Sequence, residues 1–208
     1  MHDKEVLSIL SLHVPANAIG YSFDLWAQTP FELKLSRKRE SKVGDFTYRN
    51  HSRTQRITLN HDLNQYLFLI TYIHEVAHLR VHLHYGNKLE PHGLEWKKVF
   101  QNLMEPMLKE SVFPHEILHL LIAHMRNPKA SSFADRELTV RLRGYDGVDS
   151  QRPMLSELPE GSIFRLQGKY FKKGKLRRTR VLCHELKSKR QYLIPAEATV
   201  SDVQLSLL

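Results

Sequence analysis

The chain has 208 residues, 41% hydrophobic and 25% charged, the composition of a folded globular chain with room for one medium domain or one domain plus a small module. No apolar run approaches the roughly 18 residues that span a bilayer. Asp3 and Glu5 stand before a short apolar stretch, where a secretory leader would be basic. Cys183 is the single cysteine, which rules out an internal disulfide and fits a reducing, cytoplasmic compartment. The net charge of +9 is uneven: residues 151–208 hold twelve Lys/Arg against five Asp/Glu, residues 1–150 nineteen against seventeen. A basic tail beside a near-neutral body points to a polyanionic partner and to no membrane.

In chain order, residues 3–12 and 16–28 read as short amphipathic helices separated by Pro15. Phe31–Ser36 and Arg56–Leu59 alternate with period 2 and read as strands of a small sheet, with turns at Gly44 and at Asn50–Arg53. Asn60 is the expected N-cap of a long helix, with Asp62 in its first turn. Leu63, Leu67, Ile70, His74, Ala77, His78 and Val81 recur on it at helical spacing, and Gly86 ends it. A second helix starts near His92-Gly93 and carries Trp96, Val99, Phe100, Leu103 and Met104. A third runs from Pro114 to about Met125. Asn127–Ser132 reads as a loop and Tyr145–Pro159 as a linker. Ser162–Leu166, Lys169–Phe171, Arg178–Cys183 and Gln191–Ile194 follow as β-segments.

The long helix carries His74-Glu75-Val76-Ala77-His78. Histidines four apart share a helix face and offer two zinc ligands, with the intervening Glu beside them as a general base. A catalytic zinc keeps a third protein ligand and leaves one position to water. The same spacing occurs again at His115-Glu116-Ile117-Leu118-His119, but no histidine between His124 and His184 completes that copy. For the first copy, His84 falls where an H-E-x-x-H-x-x-G-x-x-H pattern has its third ligand, yet Val81 stands where that pattern needs Gly. His82 would line up three ligands along one helix rather than surround an ion. His92, returning after the Gly86-Asn87-Lys88 loop, is preferred, with Glu95 the alternative ligand or a residue that orients one.

Ser41-Lys42-Val43-Gly44-Asp45-Phe46, Ile57-Thr58-Leu59-Asn60, His74-Glu75-Val76-Ala77-His78 and His92-Gly93-Leu94-Glu95-Trp96 occur in the order of the SprT-like family, which the chain resembles over about residues 15–105. That family includes bacterial SprT proteins and the metalloprotease domain of Spartan. The resemblance implies an α+β, zincin-like metallopeptidase domain over residues 1–145, its active-site helix packed on a small sheet and flanking helices. It implies one zinc ion held by His74, His78 and His92, Glu75 as catalytic acid/base, and a protein or peptide substrate, including proteins on DNA. The family's bacterial form often ends in a four-cysteine zinc ribbon. Residues 146–208 lack those cysteines and read as a metal-free, basic, β-rich module.

In this module Lys169, Lys172, Lys173, Lys175, Arg177, Arg178 and Arg180 crowd together, with Tyr170 and Phe171 among them and Tyr192 further on. Basic side chains reach phosphates and aromatics stack on unpaired bases, so nucleic acid is an expected partner. Two other classes fit the same residues: a non-catalytic, zinc-containing nucleic-acid factor, and a zinc hydrolase of a non-peptide substrate.

Overall fold

The computed structural model describes residues 2–39, 42–49, 54–129, 135–147 and 152–205. The Asn50–Arg53 turn, Ser41 and the Ala130–Ser132 part of the expected loop lie outside the described residues, as do positions 148–151 of the linker. The architecture is α+β, with six α-helices and two sheets among the described residues. The chain divides into two compact units, Met1–Tyr145 and Asp146–Leu208. None of its helices is long and apolar enough to cross a membrane, among the described residues.

The first unit opens with α1 (Asp3–His13), a short 3-10 turn at Ala16–Ala18 and α2 (Ile19–Gln28). Strands β1 (Glu32–Ser36), β2 (Gly44–Thr47) and β3 (Arg56–Asn60) form a sheet in the order β1-β3-β2. β1 runs parallel to β3 and β2 antiparallel to it, which leaves β2 as an edge strand. Gly44 is not a turn residue but the first residue of β2. A Cβ there would meet Thr71 Cγ2 at 2.5 Å, Leu59 Cδ2 at 2.9 Å and Glu75 Oε1 at 3.0 Å. Glycine is required here for close approach, not for an unusual φ.

The long helix α3 spans Gln65–Tyr85. Its N-cap is Asn64 rather than Asn60: the Asn64 Oδ1 accepts from Tyr66 N at 3.2 Å and Leu67 N at 3.0 Å. Asn60 instead ends β3. Its amide donates to the Arg39 and Lys42 carbonyls, and its Oδ1 accepts from Arg39 Nε at 2.8 Å and Ser36 Oγ at 3.1 Å. Those bonds fix the segment leading into β2, so the side chain is not available as a cap. Leu67 to Ile73 are buried without a break, so this half of α3 is enclosed on every side rather than along a single stripe. Tyr72 ties it to α2 by donating to the Ser22 carbonyl at 2.8 Å.

α4 (Leu94–Met104) packs on α3, and a 3-10 turn at Glu105–Met107 leads on to α5 (His115–Met125). α6 (Arg136–Arg143) was not expected from the sequence; Asp135 caps it and Leu138 and Leu142 bury one face. The second unit is an antiparallel sheet of β4 (Ile163–Leu166), β5 (Lys169–Arg177), β6 (Arg180–Glu185), β7 (Gln191–Pro195) and β8 (Ser201–Gln204), ordered β7-β6-β5-β4-β8. Gln167 and Gly168, both at positive φ, make the two-residue turn between β4 and β5. β5 runs past the expected end at Phe171, because Gly174 sits within a register shift instead of breaking the strand. A Cβ on Gly174 would stand 2.7 Å from the Leu182 carbonyl oxygen. Phe164, Phe171, Val181, Cys183, Ile194 and Val200 form a separate core.

Candidate metal centre

Helix α3 places His74 and His78 one turn apart on one face. Gly86, at φ 66°, ends the helix, and the chain returns to set His92 just ahead of the α4 N-cap Gly93. The three Nε2 atoms converge: His74 to His78 is 3.1 Å, His78 to His92 3.0 Å and His92 to His74 3.3 Å. Ligands about 2.0–2.1 Å from a tetrahedral zinc ion stand roughly 3.3–3.4 Å apart, so the triangle is close to the size such an ion needs. Burial drives the His74 pKa down to about 2 and that of His78 to about 4, and lowers that of His92. The neighbouring imidazoles oppose protonation of His74 and His78 further. Three neutral rings with nitrogens aimed at one point are a donor set for a cation. These are the His/Cys/Asp/Glu residues that converge in this way among the described residues.

Trp96, one turn after His92 on α4, walls the site. Its fully buried ring lies 4.6 Å from His74, 5.2 Å from His78 and 4.7 Å from His92, centre to centre. Phe100 stacks behind it at 4.9 Å. Sequence reasoning had placed Trp96 in the helix core without connecting it to the histidines. The signal was its position four residues after His92.

Glu75 follows His74 on α3 and is buried against β2, next to Gly44 and the Phe46 backbone amide. Burial pushes its carboxyl pKa up to about 8, against the opposing pull of the Phe46 backbone amide. A cation on the three imidazoles would favour the ionised carboxylate by direct attraction. Glu95 does not join the cluster. It sits in the first turn of α4, with Oε2 3.6 Å from where a Gly93 Cβ would stand, at the end of the helix that favours negative charge.

The other histidines have separate environments. His82 lies between Phe46 and Tyr48 of the β2 segment, ring centres 5.5 and 4.3 Å away. His84 is exposed against Tyr85. In the second H-E-x-x-H copy, His115 is exposed beside Glu110 and Glu116 accepts from the Tyr145 hydroxyl. His119 is exposed too, its ring 5.9 Å from that of His115.

The seven basic residues of the tail fall into distinct groups. Lys173 is buried, with Nζ donating to the Leu158 and Ser156 carbonyls, and Lys169 pairs with Glu185 at 3.4 Å. Lys172, Lys175, Arg177, Arg178 and Arg180 are exposed. Cys183 is buried in the core while His184 points to the opposite face, so the two do not converge.

A helix bearing two histidine donors and a buried glutamate, completed by a histidine at the start of the next helix, forms an H-E-x-x-H site that could hold a metal ion. The SprT-like family model matches residues 20–110, from α2 to just beyond α4. The segment similar to that family contains His74, Glu75, His78 and His92 and leaves out His115 and His119. No curated protein and no solved structure matches the chain.

Proposed function

We propose that the first unit is a zinc-dependent metallopeptidase. The observation that carries this reading is the triangle of His74, His78 and His92 Nε2 atoms with Glu75 buried on the same helix. Bound there by the three imidazoles, zinc would supply Lewis acidity, polarising a peptide carbonyl and acidifying water. The Glu75 carboxylate removes a proton from the attacking water as its oxygen bonds to the carbonyl carbon. The same carboxyl then protonates the departing amide nitrogen, giving a carboxylate and an amine. Trp96 and Phe100 exclude water from behind the ligands and hold the rings in place.

Edge strand β2 offers a place for substrate. Gly44 abuts Glu75, so a peptide that extends the sheet along β2 would pass beside the carboxylate. Intact Glu75 favours an enzyme over a purely structural zinc site, which needs no base. Proteins held on DNA belong to the same reading, on the strength of the basic second unit.

The test is Glu75→Gln in the full chain, with zinc content and cleavage of an unfolded protein substrate measured together. Zinc should stay near one per chain while cleavage disappears. Cleavage at the wild-type rate by the variant would remove Glu75 from the chemistry.

A further inference from the structure

We propose that the outward face of the C-terminal sheet binds single-stranded nucleic acid, through Lys172, Arg177 and Arg180 with Tyr170 as a stacking platform. The inference rests on this sheet alone and does not depend on peptidase activity.

Paired residues of an antiparallel ladder share a face, and successive residues alternate. Phe171, Cys183, Val181 and Ile194 are buried and mark the inner face. The opposite face carries Lys172 paired with His184, and His184 with Gln191. Beyond them Leu182 pairs with Leu193. At the far end Arg177 pairs with Arg180, which pairs with Pro195. No carboxylate stands at any of these outward positions on β5, β6 or β7.

The acids nearby are committed elsewhere. Glu185 faces inward and is held by Ser188, Tyr192 and Lys169. Asp202 pairs with Arg165 at 3.2 Å, which removes Arg165 from the free positive charge. The outward face of β5, β6 and β7 thus carries basic side chains and no acidic ones. The Lys172–His184 pair and the Arg177–Arg180 pair lie four residues of β6 apart, about 13 Å at strand rise, so the lysine and the two arginines are spaced to follow a phosphate backbone.

Large apolar groups share this face with the cations. Tyr170 is 46% exposed and Leu193 48%. A stripe serving only solubility needs no aromatic or leucine among its lysines. A duplex presents a charged backbone and hides its bases, whereas a single strand offers base faces to such groups. An acidic peptide would match the charge but not the stacking surface.

The full chain should be titrated into a fluorescein-labelled oligothymidylate of about 20 nucleotides, with anisotropy followed against salt. Three phosphate contacts predict a log–log salt slope of about −2. Lys172→Gln with Arg177→Gln should weaken binding on the order of ten-fold and flatten the slope by about 1.4. Tyr170→Ala should weaken it about five-fold or more with the slope unchanged. Arg180 is left alone because its guanidinium also donates to the Leu193 carbonyl at 3.2 Å. Lys98→Gln with Lys109→Gln removes equal charge from the first unit and should leave binding unaltered.

Four results would overturn the proposal. They are no binding at low salt, an equal loss in the Lys98/Lys109 control, duplex bound as tightly as single strand, and polyglutamate displacing the oligonucleotide better than unlabelled oligothymidylate. Loss of cleavage in Glu75→Gln with oligonucleotide binding retained would separate the two proposals.

Discussion

Adding one carbon at Gly44 tests whether β2 really presses against the glutamate. In Gly44→Ala the new Cβ would lie 2.5 Å from Thr71 Cγ2, 2.9 Å from Leu59 Cδ2 and 3.0 Å from Glu75 Oε1. The first two atoms belong to buried residues with little room to retreat. Overpacking of this kind costs about 1–3 kcal/mol. At about 2–4 °C per kcal/mol for a unit near this size, a mid-range cost of about 2 kcal/mol lowers Tm by about 4–8 °C. The third contact is with the proposed base, so cleavage should fall more than stability alone explains at temperatures where the variant is folded. Thr71→Ser removes the worst clash and keeps the Oγ1 bond to the Leu67 carbonyl, 2.7 Å long. The double variant should therefore recover part of the lost stability while its activity stays low, because the Glu75 contact persists. Calorimetric melts and cleavage rates on the four proteins of this cycle provide the readout. A Gly44→Ala protein with wild-type Tm and wild-type cleavage would refute the packing argument.

Three further outcomes follow from other residues. Asn64→Ala should cost about 1 kcal/mol or somewhat more, since it removes the α3 cap and a bond to the Leu142 carbonyl, and urea unfolding checks it. His84→Ala should leave zinc content unchanged, as should His115→Ala combined with His119→Ala; a drop in bound zinc in either variant would redraw the ligand set. Burial lowers the Lys173 pKa below its ordinary value of 10.5. The folded state then binds fewer protons than the unfolded one between the two values, so this lysine makes stability rise with pH across that window. Lys173→Met should remove that rise, read as the difference between denaturation curves at alkaline pH with and without the substitution, both in a Cys183→Ala background because the lysine and the buried thiol shift one another.

The sequence revealed most where a side chain's chemistry and its spacing coincide. H-E-x-x-H spacing defined one face of α3, and the Gly86 break made a return to His92 reasonable. The N-cap was misplaced because Asn60 and Asn64 are equally good caps locally. Only the Arg39 and Lys42 contacts, distant in sequence, show that Asn60 is already engaged. Gly44 looked like a turn because a glycine needed for close packing and one needed for a turn read the same in sequence. α6 is short and largely polar, and its apolar pair Leu138 and Leu142 carries too little periodicity to be found without its packing partners. In the tail, charge density was legible, but which lysines face water was not. Lys173 is inside because strand alternation and the register put it opposite Cys183.

The central claim is that one metal ion sits among three particular imidazoles. Crystals of the full chain grown with zinc and measured on either side of the zinc absorption edge test it most directly. The anomalous difference map should show one strong peak, about 2.0–2.1 Å from Nε2 of His74, His78 and His92. A peak at His115 and His119, a peak whose third protein ligand is Glu95 or His84, or no peak at this triangle would contradict it.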